Sequence, residues 1–213
     1  MIYLEETLTL EPPSPETLDT FVAFAQEKLP PLERMGFRLA AAWYNDIESF
    51  CQVIQVLEFE NMAAYEEFRA RTEHAEPWLE YEARLEELAP KRRTRLLEPL
   101  GPIPPEKLHD AWKETAEKPL GTYTLAIMEV APGRMPYLTA AMQAAAAALP
   151  MVATWRTVIG NQNEVTDVWK GPMRLSGYQP SDERTNRFFR AVRENAPVER
   201  MVPVFTLPYS PLR

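Results

Sequence analysis

The segment WRTVIGNQNEVTDVWKG, Trp155 to Gly171, alternates polar and apolar residues on either side of a Gly-Asn turn. It has a counterpart 112 residues earlier, WYNDIESFCQVIQVLEF, Trp43 to Phe59. Under that offset Trp43 meets Trp155, Ile47 meets Ile159, Val53 meets Val165 and Val56 meets Val168. Upstream the offset becomes 120, pairing Tyr3 with Tyr123, Pro12 with Pro132, Leu18 with Leu138 and Leu29 with Leu149. The difference is a shorter connection between Pro150 and Trp155 than between Pro30 and Trp43. A colinear series of this kind reports a duplicated structural unit.

Each copy reads β-α-β-β-α-β. IYLEETLTL alternates with the period of a strand. Ser14 followed by Pro15 is an N-cap with proline at the first helical position, and Leu18, Phe21, Val22, Ala25 and Leu29 follow at helical spacing until Pro30 and Pro31 stop the helix. Strands over 37–44 and 51–59 flank the polar turn NDIES; a helical stretch from Met62 to about Leu88, breaking near Pro77, leads to a strand over 94–98. The second copy predicts strands over 122–130, 154–159, 165–170 and 201–207, with helices over 135–149 and 181–195. The organisation expected is a first repeat over 1–100, a proline-rich, charged linker over 101–120 carrying a short helix from Pro105 to Glu117, and a second repeat over 121–213. Each unit is a split βαβ sandwich of four antiparallel strands with both helices on one face. The bare sheet face needs cover, and two units in one chain supply it by packing sheet to sheet around a barrel-like space.

The second half resembles the NIPSNAP-like family of the dimeric α+β barrel superfamily, through Trp155, Ile159, Gly160, Asn163, Val165, Val168 and Trp169, with Tyr123, Pro132 and Gly133 upstream. The first half keeps Trp43 but has Glu48 in place of the glycine and Leu57 in place of the closing tryptophan. Where members of that family often carry a histidine two positions before the tryptophan, this chain has Asp167, and Gln55 in the first repeat. The resemblance implies tandem ferredoxin-like units forming a pseudo-dimeric α+β barrel. It also admits either a non-catalytic binding or scaffold protein or, as among relatives in the wider superfamily, a cofactor-independent enzyme acting on small aromatic or polyketide-like molecules.

Composition narrows the partners. With 213 residues, 46% of them hydrophobic, the chain can bury a large core, and 23 Lys and Arg against 31 Asp and Glu leave a net charge of −8, which repels nucleic acid and anionic membrane surfaces. The basic run KRRTR, Lys91 to Arg95, reads as a solvated strand or helix end. The lone Cys51 fits a reducing compartment, and Glu5 and Glu6 interrupt any signal-peptide core, so a cytoplasmic location is expected. His74 and His109 are isolated and offer no metal-ligand spacing, and no glycine-rich phosphate loop exists; no cofactor and no metal are expected. The expected partner is a small hydrophobic ligand or substrate, and the pattern also admits a homo-oligomer.

Two residues carry the candidate chemistry. Facing an enclosed space, Asp167 would be desolvated and its pKa raised, suiting a general acid or base; paired with Arg156 on the adjacent strand, it would be a structural ion pair or an anion clamp. Trp43, Tyr44, Trp155, Trp169, Gln55 and Tyr123 are the candidate ligand walls, although large aromatics also build cores. The run AMQAAAAALP, Ala141 to Pro150, makes a slim helix that either packs closely on the sheet or leaves room for an apolar ligand.

Overall fold

The computed structural model describes residues 1–47, 49–101, 103–145, 149–171 and 183–213. The first half runs β1 (Ile2–Thr9), α1 (Pro15–Glu33), β2 (Arg38–Asn45), β3 (Gln52–Phe59), α2 (Met62–Thr72), α3 (Glu76–Leu88) and β4 (Lys91–Pro99). After α4 (Pro105–Thr115), the second half runs β5 (Thr122–Glu129), α5 (Met135–Ala145), β6 (Met151–Ile159), β7 (Glu164–Lys170), α6 (Glu183–Asn195) and β8 (Val198–Thr206).

The eight strands close into one antiparallel barrel, β1-β3-β2-β8-β5-β7-β6-β4. Each half contributes four strands in the same order, β4-β1-β3-β2 and β8-β5-β7-β6. Two seams join the halves: β2 to β8 through Trp43 opposite Thr206 and Tyr44 opposite Phe205, and β4 to β6 through pairs from Leu96 opposite Ile159 to Pro99 opposite Trp155. Closure removes the unpaired strand edges that an open sheet would present. The fold is α+β, with the strands sealed around a lumen and the helices outside.

Strand parity sorts the side chains into three cores. The lumen holds Tyr3, Trp43, Val56, Tyr123, Trp155 and Val168. Outside the first sheet, Phe21, Leu57, Phe59, Phe68, Tyr81 and Leu85 pack with α1, α2 and α3. Outside the second sheet, Met128, Leu138, Met142, Val165, Trp169 and Phe189 pack with α5 and α6. Residues paired by the two offsets thus fall on the same face in each half: Trp43 and Trp155, Tyr3 and Tyr123, Val56 and Val168 inside, Val53 and Val165 outside.

Local signals explain most boundaries. The Ser14 side chain accepts from the Thr17 amide and caps α1, and Asn61 does the same for α2 through Ala64. The break expected near Pro77 falls just before it, over residues 73–75. Pro30 and Pro31, expected to stop α1, instead ride its last turns to Glu33: the fixed proline φ is itself helical, although each gives up its amide bond to the preceding turn. The helix expected over 135–149 is described to Ala145, and the side chains at 144–148 of the AMQAAAAALP run lie outside the described residues, as does the start of the helix expected over 181–195.

Two other expectations are corrected. KRRTR is not a solvated end: it opens β4, where Arg95 is 7% exposed and held by Glu5 and Glu164, and Arg92 pairs with Glu6 and Glu82. The 101–120 segment does more than connect. Leu108 and Ala111 of α4 enter the lumen core, Trp112 Nε1 donates to the Ala40 carbonyl at 2.8 Å, and His109 meets Glu58 at 2.7 Å. With the C-terminal Arg213, whose carbonyl accepts from the Tyr123 hydroxyl at 2.9 Å, α4 stoppers that end of the barrel. Among the described residues no helix is long and apolar enough to cross a membrane.

Candidate functional site under the second helix layer

Asp167 sits in the middle of β7, opposite Ala126 of β5 and Thr154 of β6. Its parity partners Val165 and Trp169 belong to the core beneath α5 and α6, so the carboxyl points into that layer and away from the lumen. It is 2% exposed, and Oδ1 has no hydrogen-bond partner among the described residues. Burial pushes its pKa from 3.8 to about 8; the Thr154 hydroxyl pulls slightly the other way without closing a hydrogen bond, and Glu199 adds to the rise. At neutral pH the protonated acid therefore predominates, and it can donate as well as accept.

Two further polar atoms on this face lack partners among the described residues, Thr154 Oγ1 and Trp169 Nε1, both buried. Leaving a buried donor or acceptor unmade costs about 1–3 kcal/mol each, a cost the fold also bears at Tyr3 Oη and Trp43 Nε1 in the lumen and at Glu82 Oε1 and Arg92 Nε in the first helix layer. Around Asp167 the wall is apolar and soft: Met128, Met142, Leu138, Phe188 and Phe189, with the Trp169 and Phe189 rings near parallel at 6.5 Å.

The corresponding place in the first half is closed. Gln55 donates to Glu6 at 2.8 Å and contacts the Tyr81 hydroxyl at 3.3 Å, while Tyr209 donates to Gln55 Oε1 at 3.3 Å. Glu6 is neutralised by Arg92, itself anchored to Glu82 at 2.6 Å. Stacked Phe24 and Tyr81, 5.2 Å apart, and the Phe37, Phe59, Phe68 and Trp78 cluster pack alongside. The two helix layers thus differ at one paired position, a satisfied glutamine in one and an unsatisfied acid in the other.

The residues singled out from sequence do not form one constellation. Trp43, Trp155 and Tyr123 are lumen residues, with Tyr3 against Trp155 at 5.2 Å and Trp43 against Tyr123 at 6.4 Å. Tyr44 and Gln55 lie on the first helix layer, where Tyr44 reaches Cys51. Only Asp167 and Trp169 share the second. Arg156 is not the partner of Asp167: it stands two pairs further along β6, opposite Val165, and its guanidinium turns to Glu98 on β4. The hairpin does turn at Gly160, next to Ile159. Thr154 was missed because nothing in the sequence marks which threonine lies opposite an acid until the register is known. Among the described residues no group of three or more His, Cys, Asp or Glu side chains is placed to hold a metal ion.

In sequence the chain matches no protein-family model and none of the curated proteins. In structure it is similar to a proposed monooxygenase from Lactobacillus acidophilus NCFM, at 14% identity over 98% of this chain and 97% of that one, with a TM-score of 0.62. It is also similar to an anthrone oxidase-like protein, at 10% identity over 100% of this chain and 94% of that one, with a TM-score of 0.58. A NIPSNAP domain protein from Burkholderia xenovorans matches at 15% identity over 49% of this chain and 99% of that one, with a TM-score of 0.43. The fold is that of the dimeric α+β barrel proteins, with both sheets supplied by one chain.

Proposed function

We propose that the protein binds a small apolar or aromatic, polyketide-like molecule beneath α5 and α6, where Asp167 meets an oxygen of the ligand as a neutral carboxylic acid. The observation that carries this reading is the Asp167 carboxyl itself: fully buried, unpartnered at Oδ1, and titrating near 8 beside two other unpartnered polar atoms. A group with that pKa exchanges a proton readily in both directions at neutral pH, which suits it to general acid–base work on a carbonyl or an acidic C–H bond without a cofactor. Trp169 provides an apolar wall, and its Nε1 and the Thr154 hydroxyl offer two further hydrogen bonds. Arg156 has no part in this site.

The two halves read as one duplicated unit in which the second keeps a ligand site while the first has filled its own with the Gln55 network. One chain closes the barrel, so the site needs no second copy. The free, buried Cys51 supports a reducing, cytoplasmic setting.

The description of the anthrone oxidase-like neighbour makes anthrone, a flat aromatic ketone, a suitable probe. Titrated into the protein at neutral pH, anthrone should quench tryptophan fluorescence with one site per chain. Asp167→Asn and Trp169→Leu should weaken it by about tenfold, and Tyr44→Phe in the first half should not. Above the pKa of about 8 the donor is lost, so affinity for the ketone should fall as pH rises through that value. An affinity indifferent to both second-half substitutions and to pH would remove the reading. Conversion of bound anthrone by the wild-type chain and not by Asp167→Asn identifies an enzyme; binding without conversion identifies a carrier.

A further inference from the structure

At the end of the barrel away from α4, a cavity of about 510 Å³ leads into the lumen. That volume is within the range of small-ligand pockets. Its two walls come from different halves and differ in chemistry. The second-half wall is apolar: Leu125 of β5 stands opposite Val202 of β8, both 2% exposed and part of the lumen core, and Ile127 is the next lumen-facing residue outward on β5. The first-half wall grades from apolar to polar. Ile54 of β3 stands between Trp43 of β2 and Thr7 of β1, and the next lumen-facing pair outward is Gln52 opposite Thr9. Thr7, Thr9 and Gln52 are half-buried, so neutral hydroxyl and amide groups edge the entrance to an apolar hole.

The charged side chains of the mouth answer one another. Arg95 donates through Nε and Nη2 to the two Glu5 oxygens, at 2.8 and 2.6 Å, and through Nη1 to Glu164. Lys91 meets Glu11 at 2.7 Å, Arg92 is held by Glu6 and Glu82, and Arg200 has an interaction partner of its own. The one carboxylate that the Arg95 cluster holds in excess offsets the exposed Arg93, two residues earlier on β4. A charged head group entering here would shed water without gaining an unanswered counter-charge, which is unfavourable. A hydroxyl or carbonyl sheds less and finds neutral partners in Thr7, Thr9 and Gln52.

We infer that the open end of the barrel is a second binding site, distinct from the Asp167 layer, for an uncharged amphipathic molecule of the medium-chain alcohol class. Its apolar body lies against Ile54, Leu125 and Val202, and its oxygen sits at the rim of Thr7, Thr9 and Gln52. The body supplies the affinity by leaving water for the lumen wall, and the balanced mouth selects a neutral head over a charged one.

The test is calorimetric titration of the intact chain into decan-1-ol, decanoate and decylammonium. The alcohol should bind with one site per chain, and each ion at least about tenfold more weakly. Thr7→Val combined with Gln52→Leu removes the neutral hydrogen-bonding groups at similar volume and should weaken the alcohol about tenfold. Ile127→Trp, which fills the passage, should abolish its binding, while Asp167→Asn should leave it unchanged. No detectable binding of the alcohol to the wild type overturns the inference, and so does binding that survives Ile127→Trp intact. Either ion binding as tightly as the alcohol also overturns it, because the mouth would then hold an unanswered charge. Loss of binding in Asp167→Asn with the Thr7 and Gln52 variant unaffected overturns it too, by assigning the alcohol to the helix layer. If Ile127→Trp melts early, the Thr7 and Gln52 variant decides alone, and an unchanged affinity there counts against the site.

Discussion

Asp167 is a buried carboxyl whose Oδ1 has no partner among the described residues, and its acidity makes the departure from a satisfied core measurable. Because the folded pKa of about 8 lies above the ordinary 3.8, the native state holds a proton that the unfolded chain releases. Stability contributed at this position is therefore greatest below the unfolded value, falls as pH rises between the two, and is level above the folded one. The full span is on the order of 5 kcal/mol as an upper bound. Asp167→Asn keeps the shape without the ionisation, so its melting temperature should gain on the wild type between about pH 5 and about pH 9. A wild type that gains on the variant over that range would mean the carboxylate is paired in the folded state. The identity of this residue was visible in the sequence, as was the consequence of burying it. What was not visible was the face, because β7 is apolar on both sides and parity alone cannot say which side the helices cover.

At the level of elements, the tryptophan hairpin was legible and its consequences for side chains were not. The turn needs Gly160, at φ 128°, where a Cβ would stand 3.0 Å from Thr157 Cγ2 and 3.4 Å from the Arg95 side chain. Gly133, at φ 75°, has nothing within 4 Å. Gly160→Ala should thus cost more than Gly133→Ala, at about 1–3 kcal/mol for the backbone alone plus the displaced contacts, read by denaturant titration. Equal costs for the two glycines would show that β4 and β6 give way freely at this seam. The basic run beginning β4 misled for a related reason: its counter-ions, Glu5, Glu6 and Glu164, lie far away in sequence on neighbouring strands. Likewise α4 reads as a charged linker because only Leu108, Ala111 and Trp112 face the barrel, and a short apolar stripe has no meaning until there is a lumen for it to close.

Across the whole molecule, the two halves are matched in strand order and in the lumen aromatics, and unmatched in what lies beneath their helices. The paired offsets in sequence foretold the match, since Trp43 and Trp155 or Tyr3 and Tyr123 occupy corresponding lumen positions. The mismatch was foretold only as a letter change, Gln55 against Asp167, and became chemistry once the Glu6, Tyr81 and Tyr209 contacts of the first half were seen to have no counterpart among the described residues of the second. The central claim is that this asymmetry leaves one neutral, unpartnered acid in the core. It is tested most directly by ¹³C NMR titration of protein labelled at the aspartate carboxyl carbon, with Asp167 assigned as the resonance missing from Asp167→Asn. The account predicts that this resonance titrates near 8, far above the other aspartates, and moves when anthrone binds. A midpoint in the ordinary carboxylate range, around 3.8, would contradict it.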